Sequence, residues 1–171
     1  MLTKSLMPLA VAALFAPTPA LAEDATLRLV AKIVGGLAQD SVLLIGDLGT
    51  GKVNELEPGA YEIGYDTGVS AATFAEPEPC VFTLHARMAG ISGIEQRFDF
   101  NAITGIDFVP QESWEGLNAV VVTLQGPDTA GQVRDGDGWL PGPPFANVVS
   151  SLTVEDLSAA AAALREACPG P

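Results

Sequence analysis

Cations are scarce in this chain. Eight Lys and Arg stand against 21 Asp and Glu, a formal charge of −13. A nucleic-acid binder or a basic membrane-surface binder needs a cationic footprint, so both classes are excluded. Histidine occurs once and cysteine twice. That rules out zinc sites built from four cysteines, or from two cysteines and two histidines. Aromatics are only 6% of residues, too few for a platform that stacks bases or sugars. No apolar run reaches the roughly 20 residues that a membrane-spanning helix requires. What remains is ordinary for a packed domain. The chain has 171 residues, 48% of them apolar, enough for one core and too apolar for a disordered chain.

The longest apolar stretch is an address. Lys4 precedes the run Leu6–Ala16, and the small residues Ala20 and Ala22 follow in an A-x-A pattern before Glu23 and Asp24. This is the grammar of a secretory signal peptide, residues 1–22, cut after Ala22. No Cys follows the cut, which argues against a lipid anchor. Residues 23–171 then form a single domain of charge −14, because the leader carries one Lys and no acid. The expected location is periplasmic or secreted, with no integral membrane segment after cleavage. In an oxidising compartment a pair of cysteines invites a disulfide. Joining Cys80 to Cys168 would enclose about 90 residues. They do not form the C-x-x-C of a dithiol oxidoreductase.

Periodicity sketches the elements. Thr26–Asp40 fits a helix through Leu27, Val30, Ala31 and Val34, and fits alternation through Leu27, Leu29, Ala31 and Ile33 equally well. We lean to a short helix closed by Gly35-Gly36. Ser41–Gly46 and Ala60–Tyr65 read as strands, and Glu76–Pro79 (EPEP) as a rigid connector. The centre is clearer. Val81–Met88 and Ile94–Phe100 alternate, with a loop between them, and predict a hairpin. Pairing Met88 with Ile94 sets Leu84 by Phe98 and Phe82 by Phe100 on an apolar face. The same register sets Arg87 by Glu95, His85 by Arg97 and Thr83 by Asp99 on a polar one. Gly105–Pro110, Asn118–Leu124 and Ala146–Leu152 read as further strands.

The last helix is well marked. Thr153 is a suitable N-cap with Asp156 at the reciprocal position. Val154, Leu157, Ala161, Leu164 and Cys168 share a stripe, and Pro169 stops the helix. The expected fold is therefore α+β: an antiparallel sheet or partial barrel with a C-terminal helix packed on it. In element order it resembles the pleckstrin-homology-like architecture.

Three segments hint at chemistry. The run Gly46–Lys52 (GDLGTGK) follows an apolar stretch and resembles the phosphate loop of P-loop NTPases. The resemblance implies phosphates cradled by the backbone of Gly49–Gly51 and neutralised by Lys52. Val53 stands where that family has its magnesium-binding hydroxyl, and Pro58-Gly59 breaks the chain where a helix should run. The run therefore reads as a Gly-rich turn between strands. Residues 126–144 lack periodicity and are rich in Gly and Pro, so they read as a long surface loop. Asp135 and Asp137, ahead of Gly138, resemble the opening of a calcium loop, but Trp139 follows where a further ligand belongs. Asp135, Asp137 and Trp139 are candidate ligand-loop residues. His85 is the one imidazole available to a triad with Ser92 or Asp99, and no G-x-S-x-G elbow accompanies it. We therefore expect no catalytic residues, no metal and no cofactor. The expected function is a non-enzymatic accessory or interaction domain with an envelope protein partner. The alternative is a small-molecule or calcium binder using residues 126–144.

Overall fold

The computed structural model describes residues 19–44, 48–87, 93–142 and 145–171. Helix α1 (Pro19–Gly35) opens the described chain and runs across the expected cut after Ala22. Eleven strands follow: β1 (Val42–Leu44), β2 (Thr50–Glu57), β3 (Ala60–Tyr65), β4 (Gly68–Glu78), β5 (Val81–Arg87), β6 (Ile94–Asp99), β7 (Gly105–Pro110), β8 (Asn118–Gln125), β9 (Gly131–Asp135), β10 (Gly138–Pro141) and β11 (Phe145–Ser150). Helix α2 (Val154–Ala167) closes the chain. The strands form one antiparallel sheet ordered β10-β9-β6-β5-β4-β3-β2-β1-β11-β8-β7, curved into a half-barrel. Strands closed by a terminal helix are the expected order. The helix ahead of them covers the first part of Thr26–Asp40, where a short helix was expected, but it is 17 residues long and begins at Pro19.

The helices fill the concave side. α1 packs on α2, β4 and β11, while α2 packs on β7. Leu27, Val30, Ala31, Ile33 and Val34 of α1 are buried, as are Leu157, Ala160, Ala161 and Leu164 of α2. Gly36, at φ 65°, ends α1 in the left-handed region that glycine tolerates. A side chain there would also strike Val148, whose Cγ1 lies 2.5 Å from a Cβ built on Gly36. At α2 the capping box forms as expected. The Thr153 hydroxyl accepts from Asp156 N at 3.2 Å, and Asp156 Oδ2 accepts from Thr153 N at 2.9 Å. The donated hydrogen bonds hold the Asp156 carboxyl below the usual range. A depressed folded pKa means the cap stabilises above that range and weakens as pH falls through it.

One turn gathers both helices. β4 and β5 meet at Pro79-Cys80, and Cys80 has φ 61°. Proline followed by a positive φ is the type II pattern, whose third position glycine normally fills. Here a cysteine fills it, and Cys80 is at disulfide distance from Cys168 at the end of α2, with Cα atoms 5.6 Å apart. Glu76 ties α1 to the same turn. Its Oε1 accepts from Cys80 N at 2.7 Å and its Oε2 from the Thr26 hydroxyl at 3.0 Å.

Four expectations need correction. Glu76–Glu78 is the end of β4 rather than a connector. A bulge between Ala75 and Glu78 accommodates Pro77, which has no N–H for the ladder. The β5–β6 hairpin forms, but two residues out of the expected register: Phe82 faces Phe98, Leu84 faces Gln96 and Ala86 faces Ile94. His85 therefore stands across from Glu95, not Arg97. Met88 lies outside the described residues. Residues 126–144 are not one long loop, because β9 and β10 form a hairpin there and β9 pairs with β6. The hairpin turns at Gly136-Asp137, with Gly136 at φ 56°, glycine at the position a type II′ turn reserves for it. β2 occupies Thr50–Glu57, where no strand was expected beyond the idea of a turn.

Candidate functional site

The phosphate-loop pattern dissolves into packing. Gly46 lies outside the described residues. Gly49 takes φ 81° in the β1–β2 connection. Gly51 lies within β2, opposite Leu43. A Cβ built on Gly51 would sit 2.5 Å from the Tyr65 ring and 2.6 Å from Ile63 Cγ2, so glycine makes room for two core side chains. Lys52 Nζ pairs with Asp40 at 2.7 Å, with both side chains largely exposed. Such a pair contributes at most about 1 kcal/mol. Lys52→Ala should leave the melting temperature within about 4 °C and any ligand binding unchanged. A large loss in either would restore a role for the lysine.

The other candidates disperse too. Asp135 and Asp137 are exposed and flank the turn residue Gly136. Trp139 faces Arg134 across the hairpin, and the Arg134 guanidinium lies 5.3 Å from the indole centroid. Among the described residues, no three His, Cys, Asp or Glu side chains come together to hold a metal ion. His85 is exposed, opposite Glu95, whereas Asp99 lies at the far end of the ladder opposite Val81. Ser92 lies outside the described residues. The structure does not bring His85 and Asp99 together.

The feature that sequence reasoning missed is a cleft on the inner face of the sheet. Strand alternation puts Ile63, Ser70, Ala72, Leu84, Ala86 and Gln96 on that face. Ala72 and Ala86 face each other across β4 and β5. Two small residues side by side leave a hollow that the larger Ile63, Leu84 and Leu43 surround. The end of α1, at Gly35 and Leu37, forms the roof. The cleft holds about 170 Å³. Its lining is Gly35, Leu37, Leu43, Ile63, Ser70, Ala71, Ala72, Leu84, Ala86, Ile94 and Gln96, none of which is charged. Tyr65 lies close by, and burial pushes its phenol up to about 12 while Ser70 holds it down in part. It stays neutral at any ordinary pH.

The apolar surface continues outward. Leu84 faces Gln96, Gln96 faces Val133, and Val133 faces Leu140, so one row crosses β5, β6, β9 and β10 on the cleft side. Ile94 and Leu140 on this side are 38% and 48% exposed. A larger hollow of about 540 Å³ beside the Cys80–Cys168 pair is lined by Glu23, Glu76 and Glu78. Both Glu76 oxygens there already accept hydrogen bonds within the fold. The inner-face cleft is the better candidate because its lining is aliphatic apart from Ser70 and Gln96. No protein family, no curated protein and no solved structure matches the chain.

Proposed function

We propose that the chain is a non-catalytic binding protein of the exported compartment, and that its ligand places an apolar group in the inner-face cleft. The observation that carries this is the uncharged aliphatic hollow around Ala72 and Ala86, with the exposed Ile94 in its lining. Concave, apolar, preformed sites with few polar groups are the usual form of small-molecule sites. A dry cavity of about 150 Å³ takes up benzene, so this volume suits a group of that size. The signal-peptide grammar of residues 1–22 and the Cys80–Cys168 pair support export. Among the described residues no helix is long and apolar enough to cross a membrane.

Calorimetric titration with hexan-1-ol tests the proposal. The protein should give a saturable heat, and Ala86→Leu should remove it by filling the hollow, with far-UV dichroism unchanged. No saturable binding, or equal binding by a folded Ala86→Leu protein, would sink it.

Docking of an envelope protein is the second reading. It is favoured by β10, an end strand that carries the exposed Leu140. Under that reading Leu140→Glu releases the partner and leaves hexanol binding intact.

A further inference from the structure

The cleft explains where a hydrocarbon sits and leaves its polar end to be identified. One side chain bears on that end. Along β9, Gly131, Val133 and Asp135 share a face, because strand residues alternate. Gly131 faces the core residue Phe98, and Val133 faces Gln96. Asp135 is therefore on the cleft side, one step outward from Val133, toward the end of β6 where Ile94 stands exposed. Across the hairpin Asp135 faces Gly138, which has no side chain to screen it. The nearest cation on the same hairpin, Arg134, points to the opposite face. Its Nε donates to the Gly136 carbonyl at 3.1 Å and its guanidinium rests over Trp139. Among the described residues Asp135 has no ion pair. The apolar row runs out at Leu140 on β10, and Asp135 stands beside it, two residues along β9 from Val133, on a protein of charge −13 that concentrates cations around it.

We infer that the ligand is a small cationic amphiphile: a short aliphatic chain lying in the cleft, with a primary ammonium at the mouth beside Asp135. This rests on the apolar-cleft proposal above. By comparison with the benzene-sized cavity, the chain is about six carbons long. Charge complementarity excludes the carboxylate analogue, because an anionic head would meet Asp135 with no cation on the cleft lining to receive it. The Gln96 amide, facing Val133, offers neutral hydrogen bonding along the way and does not select a sign.

The test is a calorimetric series with hexylammonium, hexan-1-ol and hexanoate at low salt, on the wild type and on Asp135→Asn. Asp135 is exposed, so the variant should keep the fold. Hexylammonium should bind about three- to five-fold more tightly than hexanol, the size expected of an exposed ion pair, and hexanoate most weakly. Asp135→Asn should erase the difference between the amine and the alcohol, and so should high salt, which screens exposed charges. If the alcohol or the carboxylate binds as tightly as the amine, or if Asp135→Asn keeps the preference, the inference fails while the apolar cleft stands. If none of the three binds, the cleft proposal itself fails.

Discussion

Phe82→Ala should be the most damaging single truncation in the fold, costing about 3–5 kcal/mol. Phe82 is completely buried. Its ring meets that of Phe100 edge to face, with centroids 5.6 Å apart, and it faces the buried Phe98 across the β5–β6 ladder. Removing it deletes apolar contact and leaves a cavity that a rigid sheet closes poorly. An edge-to-face pair adds about 0.5–1.5 kcal/mol beyond burial. Urea melts of the two proteins, monitored by far-UV dichroism, give the difference. A loss under about 1 kcal/mol would mean that Phe82 is not central to the core.

Reduction of the cysteine pair should rank next, at about 2–4 kcal/mol. Cys80 and Cys168 are 88 positions apart, and a long loop regains much freedom in the unfolded chain once the bridge opens. Melts with and without reductant measure the loss, and a thiol count on native protein should find none. The turn conformation refines the prediction. Cys80 sits at φ 61°, where a non-glycine residue costs about 1 kcal/mol or more. With the bridge removed, Cys80→Gly/Cys168→Ala should therefore be more stable than Cys80→Ala/Cys168→Ala. The reverse order would contradict the left-handed turn at position 80. Glu76 should keep α1 attached to this turn in both variants, because its hydrogen bonds go to Thr26 and to the backbone of residue 80.

The sequence makes the α2 helix legible through its cap, its stripe and its stop, and these are local signals. It also makes the β5 and β6 faces legible but not their register. A shift of two residues leaves every side chain on the same face, so alternation cannot separate Phe82 against Phe100 from Phe82 against Phe98. Phe82 still meets both rings, since Phe100 is buried just beyond β6. The β9–β10 hairpin is not legible because its strands are short and rich in Gly, Pro and charge. Pairing with β6 stabilises β9, and no run of five residues announces that partner. β2 carries few core-facing side chains, chiefly Val53, because Gly51 cedes its place to Tyr65 and Ile63.

The candidate site was the least legible part, for a related reason. A cleft is made by what side chains leave out. Ala72 and Ala86 form the hollow only because β4 and β5 set them opposite each other, and an alanine in a strand carries no signal of its partner. Asp135 stood out in the sequence as the start of a calcium loop. Its place on the cleft side depends on the count of residues from Gly131, which is readable only once β9 is recognised as a strand.

The central claim is that the inner face, between the end of α1 and strands β4–β6, is where an apolar ligand group is held. The most direct measurement is a set of intermolecular NOEs from bound hexylammonium. They should run from the chain to the methyls of Leu84, Ala86 and Ile94, with the amine end toward Asp135. NOEs to Ile106 and Leu164, in the hollow against α2, or to the convex residues Val69 and Val109, would contradict it.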